Sequence, residues 1–313
     1  MDYSYEVIRS ELIDIYGNIK TDKYLKKNYY NYRKLLLSLS DMKKKDNNGP
    51  LRYFSNDEIL SLVNKYLDSY FNCYTKDFAK TTILMYDVDT LLKYSNASDE
   101  DKLNDEFKYI SLTKEEAENL LIAKGVTDFV FNDIKVVNYK NISTSLSITH
   151  EYTHKIHNNN DNNNKYTEEW FIFSEYLAYY NELLFKEYLE SLGYKSDVTI
   201  AINSNLITTR GQIKLFKLMD DLYHGKDVSL KDLIIIDASM ELDNIPLYDY
   251  PHLIAYLASI TKYEETKNLS LLDRTKELNE LLSTSINSKA IKENYLDIND
   301  SETVKRLIMN FNK

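Results

Sequence analysis

A chain of 313 residues, 43% hydrophobic and 28% charged, is large enough to bury a substantial core as one large domain or two moderate ones. Its formal net charge of −10 argues against a general affinity for nucleic acid or an anionic membrane surface. A single cysteine, Cys73, excludes an intramolecular disulfide and a cysteine-based metal cluster, and only six Gly and three Pro are too few for a sandwich or barrel of many short strands.

From the N-terminus, the opening MDYSYEVIRSELIDIYG lacks the basic start and unbroken apolar run of a signal peptide. No later stretch is apolar enough to span a bilayer, so the expectation is a cytoplasmic protein without a membrane partner. Residues 23–34, KYLKKNYYNYRK, interleave basic residues with tyrosines. They read either as a patch that stacks bases or as a helix with a tyrosine-lined inner face, and the acidic whole favours the helix. Ser55 with Glu58, and Thr113 with Glu116, have the spacing of capping boxes, which predicts helix starts at both places. Cys73, within YFNCY, reads as a small core residue. The second capped helix is expected to stop at Gly125.

The strongest strand signal is DFVFNDIKVVNYKN, residues 128–141, with Asn132-Asp133 as the turn of a short hairpin. A helix is predicted from near Ser143 to His157, ended by the run Asn158 to Asn164, whose amide side chains compete for backbone hydrogen bonds. Thr167 can cap the next helix, 168–193, read as the longest clear one. Helical patterns recur at 206–224, 251–264, 270–283 and 301–311. The expected fold class is therefore mainly α with a small β-hairpin. A weak boundary near 105–112 would divide a helical lobe, 1–110, from a second unit, 111–313, although one continuous body fits as well.

Three of the five histidines, His150, His154 and His157, fall within eight residues. Residues four apart share a helix face, so His150 and His154 can offer two imidazole nitrogens to one metal ion. Glu151 is turned about 100° around the axis, which places it beside a metal rather than on it, where a general base belongs. The following helix supplies a third donor. Glu175 and Glu182 interrupt its apolar stretch seven residues apart, and a carboxylate in such surroundings is costly unless paired or bound to a cation. A turn at the Asn-rich loop can fold Glu175 back onto the histidines. Two His and one Glu leave a zinc position open, as a catalytic site requires. His157, one turn further along the same face, and Glu182 read as supports that hydrogen-bond the ligands.

At these residues the chain resembles the thimet oligopeptidase/oligoendopeptidase F family of zinc metallopeptidases. HEYTHKIH, 150–157, is similar to the family's HExGHxxH, and 172–189 looks like the segment carrying its third zinc ligand. Residues 134–151 are similar to the strand and loop that lead into the family's active-site helix. The resemblance implies a zincin-like fold, Zn2+ held by His150, His154 and Glu175, Glu151 as general base, and His157 and Glu182 as supporting neighbours. In YDYPHLIAYLASI, 248–260, it implies an oxyanion-binding role that Tyr256 fits best, followed by Tyr250 and His252. An aromatic face on a core helix is the other reading of that stretch, in a chain with 28 tyrosines. Thr153 stands where the family usually has glycine, and the chain is shorter than typical members, so a reduced N-terminal lobe and a more open cleft are expected. The reading is a zinc-dependent endopeptidase or oligopeptidase acting on peptide or protein substrates. A regulatory protease for one protein partner and a non-catalytic helical binding protein are the alternatives.

Overall fold

Apolar residues recur at helical spacing through most of the chain, and the computed structural model of the protein is helical where they do. It describes residues 5–19, 23–39, 52–98, 101–103, 107–160, 167–241, 246, 249–284 and 288–312. The first part holds α1 (Tyr5–Ile19), α2 (Lys23–Ser38), α3 (Asn56–Tyr70), α4 (Thr75–Phe78), β1 (Thr82–Asp87), α5 (Val88–Asn96) and α6 (Lys114–Ala123). A hairpin follows, β2 (Gly125–Asp128) and β3 (Asp133–Asn138), then α7 (Ile142–Asn160), α8 (Glu168–Ser191) and α9 (Lys195–Tyr223). The chain continues through α10 (Leu230–Glu241), α11 (Tyr250–Thr266), α12 (Leu271–Leu282), α13 (Ser288–Glu293) and α14 (Ser301–Phe311). The protein is mainly α, as its composition predicts, with one small mixed sheet packed against α7.

Local chemistry starts the helices where the sequence places them. Ser55 and Glu58 form a complete capping box, as do Thr113 and Glu116, and the Thr167 side chain accepts from the backbone of Trp170. Each of these pairs satisfies amides that the first helical turn leaves without partners. The end of α6 differs from expectation. Lys124, not Gly125, takes the left-handed position, with φ of 68°, and Gly125 opens β2.

The hairpin forms, but its first strand lies upstream of the predicted segment. Residues 129–132 make the turn, with Asn132 at φ of 58° and the Asp128 side chain accepting from the amides of Val130 and Phe131. A third strand, β1, pairs in parallel with β3 and places it in the centre, in the order β1-β3-β2. Alternation along β3 divides its side chains between two cores. Ile134 and Val136 enter the main cluster with α7, whereas Val137 enters a smaller one with Leu91, Leu112 and Leu120. The main cluster draws on residues from Ile8 to Phe311.

Several other expectations are corrected. The longest helix among the described residues is α9, with 29 residues, rather than α8 with 24. Cys73 is exposed, because it sits in a short helical turn, Asn72–Tyr74, that turns it away from the core. In the basic, tyrosine-rich segment, Tyr32 is fully buried and Arg33 makes a bidentate pair with Asp220, while Tyr30 is exposed. The asparagine run ends α7 at Asn160, and residues 161–166 of the predicted loop lie outside the described residues. Among the described residues no helix is long and apolar enough to cross a membrane.

Helix α8 packs against α7 on one side and α11 on another. Lys155 anchors α7 from the side away from α8. Its buried ammonium lies 2.8 Å from Asp77 Oδ2, and the neighbouring Tyr152 hydroxyl donates to the Tyr74 carbonyl at 2.7 Å.

Candidate metal centre

The facing sides of α7 and α8 bring His150, His154 and Glu175 together, with one donor atom from each inside a span of 4.8 Å. The two Nε2 atoms are 3.1 Å apart. His150 Nε2 lies 3.4 Å from Glu175 Oε2, and His154 Nε2 lies 3.3 Å from Glu175 Oε1. An ion bound tetrahedrally with bonds of about 2.05 Å requires donors about 3.3 Å apart. Each separation is close to that edge length, with the two contacts to Glu175 made by different carboxylate oxygens. Glu175 Oε2 is also buried with no hydrogen-bond partner among the described residues, a costly state that a cation would relieve. The donor set and its spacing therefore fit a metal ion.

Supporting contacts aim the rings. His154 Nδ1 is 2.8 Å from Ser174 Oγ, and with its proton on Nδ1 the ring would leave the Nε2 lone pair available to a metal ion. Behind His150, Glu182 Oε2 is 3.6 Å from Nδ1, and Glu182 Oε1 pairs with Lys186 Nζ at 2.7 Å. Burial on its own would depress the His150 pKa, but Glu175 and Glu182 outweigh it and push the value up to about 10. Burial works against both carboxylates as well. The two histidines hold Glu175 well below the usual range, and Lys186 with His150 holds Glu182 at about 2. The pocket thus keeps two buried carboxylates facing His150, His154 and Lys186.

Glu151 is buried beside this group and faces β2. Thr127 Oγ1 donates to both the Glu151 carbonyl, at 2.8 Å, and its carboxylate Oε2, at 2.9 Å. Gly125 passes so near that a Cβ there would lie 2.7 Å from Glu151 Oε1. Only a residue without a side chain allows this approach. Thr153 has a clear role in the present packing. Its hydroxyl donates to the Thr149 carbonyl and accepts from Asn181 Nδ2 at 2.8 Å, and Asn181 Oδ1 accepts from Tyr66. A side chain at this position ties α7 to α8 and α3.

The remaining predicted residues are placed unequally. His252 reaches the group, with Nε2 3.7 Å from Glu175 Oε1, Nδ1 2.7 Å from Asp249 Oδ1, and 42% of its side chain exposed. Tyr256 stands one ring further away, edge-to-face with Tyr179, which in turn lies edge-to-face with His150 at 4.9 Å. Burial and the charge of Glu182 raise the Tyr256 pKa, so its phenol keeps its proton. Tyr250 points elsewhere, donating to Glu168 Oε1 at 2.6 Å with its ring against Tyr32. His157 is fully buried and stacks on Trp170, with ring centroids 5.3 Å apart.

Ser174, Tyr179, Lys186, Asp249, Gly125 and Thr127 are contacts that the sequence reading missed. For two of them the signal was present. Tyr179 and Lys186 follow Glu175 by four and eleven residues, which is one helix face shared with the predicted Glu182. Nothing local marks Gly125 and Thr127, whose partner lies 24 or more residues away. Comparison of the chain with protein-family models, with curated proteins and with solved structures returns no match.

Proposed function

We propose that the protein is a zinc-dependent peptidase of the kind its active-site helix resembles, the thimet oligopeptidase/oligoendopeptidase F type. The observation that carries this reading is the convergence of two imidazole nitrogens and one carboxylate within 4.8 Å of one another, with Glu151 on the same helix beside them. Zn2+ held by His150, His154 and Glu175 supplies a Lewis acid that lowers the pKa of a water and polarises a carbonyl.

The chain's own groups carry the rest. Glu151 takes a proton from the water as its oxygen bonds to the peptide carbon, then returns it to the amine nitrogen as the C–N bond breaks. Thr127 holds one oxygen of that carboxylate and leaves the other to accept the proton. His252, half-exposed and next to Glu175, is the nearest of the three candidates for donating to the developing oxyanion, and the protonated Tyr256 is the second. The outer edge of β2 offers backbone groups to an extended peptide. Such recognition gives loose sequence preference and suits a peptide or protein substrate.

The test is metal content and turnover together. Elemental analysis is expected to give about one zinc per chain, lost in His154→Ala. A quenched peptide library is expected to be cleaved by wild type and about 10²–10⁴-fold more slowly by Glu151→Gln. Unchanged cleavage by Glu151→Gln would end the mechanism. Zinc without cleavage of any peptide would favour a binding protein built on this scaffold.

A further inference from the structure

The face of the sheet opposite Glu151 carries a second concavity. Leu112, Glu116, Asn119 and Leu120 line one side, Val126 of β2 and Lys135 of β3 line the other, and together they enclose about 190 Å³. Strand alternation connects this groove to the metal centre. Gly125 and Thr127 face Glu151, whereas Val126, between them, faces the groove and remains 41% exposed. Val126 also pairs in register with Lys135, so both point to the same side.

β2 is an outer strand of the sheet. In a peptide laid along its outer edge, each residue shares the face of the β2 residue opposite it. The peptide residue opposite Thr127 then lies on the Glu151 side, and its neighbour opposite Val126 turns toward the groove. We infer that this groove is the pocket that sets peptide preference, taking a bulky apolar side chain next to the residue held over Glu151. The inference rests on the peptide-hydrolysing reading of the metal centre.

Size and charge define the occupant. An apolar cavity of about 150 Å³ holds a benzene ring, and a whole drug-sized ligand needs about 300–1,000 Å³. A groove of about 190 Å³ therefore takes one phenylalanine, leucine or methionine side chain and no more. Leu112, Leu120 and Val126 give it apolar walls. Its two charged residues are engaged elsewhere. Glu116 accepts from the Thr113 amide at 2.6 Å in the capping box, and Lys135 lies 4.0 Å from Asp128. A charged side chain entering the groove would lose water without gaining a free counter-charge.

The experiment measures binding apart from turnover. Two fluorescein-labelled ten-residue alanine/serine peptides, differing only in a central Phe or Ser, are titrated against the zinc-loaded Glu151→Gln chain by fluorescence anisotropy. The Phe peptide is expected to bind about 10- to 100-fold more tightly, the transfer value of one such side chain. Val126→Arg fills the groove from the strand, and Asn119→Trp fills it from an exposed helix position that leaves folding intact. Each is expected to remove the preference while zinc content stays the same. Equal affinity for the two peptides, absence of binding, or a preference that survives Asn119→Trp would overturn the inference. Preference without cleavage by wild type would sink the peptidase reading and leave the groove standing. Cleavage without preference would do the reverse.

Discussion

Replacing Gly125 by alanine probes the contact between β2 and the proposed base without touching a metal ligand. The added methyl would lie 2.7 Å from Glu151 Oε1, 2.8 Å from Cγ and 3.0 Å from Cδ. Carbon contacts are comfortable at about 3.5–4.0 Å, so the overlap is roughly 0.5–1 Å against three consecutive atoms. Rotating the carboxylate tip relieves the first contact and not the second, and Thr127 pins the other oxygen at 2.9 Å. The whole arm must shift, or β2 must move away from α7. Overpacking of this kind costs about 1–3 kcal/mol, and displacing a catalytic group by about 1 Å costs on the order of 10² in rate. The backbone at Gly125 is not left-handed, so steric contact alone accounts for the effect. Urea unfolding, zinc content and kcat/KM on a quenched peptide measure the three parts separately. Stability is expected to fall, zinc to remain at about one per chain, and turnover to drop. A variant with wild-type stability and wild-type turnover would refute the claim that this glycine exists to admit Glu151.

Placing glycine at position 153 should weaken the fold. Thr153→Gly removes the bond from Asn181 and puts glycine into a helix interior, at about 1–3 and about 1 kcal/mol respectively, so a loss of about 2–4 kcal/mol is expected in urea unfolding with zinc retained. A variant as stable as wild type would show that the Tyr66–Asn181–Thr153 chain contributes nothing. Asp87 provides a test in acid. Its ion pair with Lys140, together with its capping bonds to Thr90, holds its pKa below the ordinary value against partial burial. A lowered folded-state pKa means the stabilisation is present above the ordinary aspartate value of about 3.9 and is lost as pH falls through the folded value. Asparagine can keep the cap but not the pair, so the advantage of wild type over Asp87→Asn should be full at neutral pH and shrink from about pH 5 downward. A stability difference that stays constant across that range would mean the charge is irrelevant.

Helix starts were legible because capping is a local event. Ser55 with Glu58, Thr113 with Glu116, and Thr167 each act within one turn, and each does so in the structure. Pairing of His150 with His154 was legible for the same reason, since a spacing of four fixes a shared face whatever surrounds the helix. The sequence alone thus determined the helical class, the helix that presents two imidazoles, and Glu175 as a buried carboxylate in need of a partner. Other features depended on partners distant in the chain. Strand β1 had no signal strong enough to stand out, and its parallel partner β3 lies 51 residues further on, as in the register Thr82 with Asp133. The position of Gly125 looked like a helix stop, because nothing near it reveals that Glu151 will press against it. The sequence ranked Tyr256 ahead of Tyr250 and His252 on one helix, and only the packing of α11 on α8 separated His252, near Glu175, from Tyr250, engaged with Glu168. Local hydrogen bonding and helical periodicity act over a few residues and can be read directly. Which side chain reaches which depends on how whole helices and strands pack, and tertiary structure alone decides that.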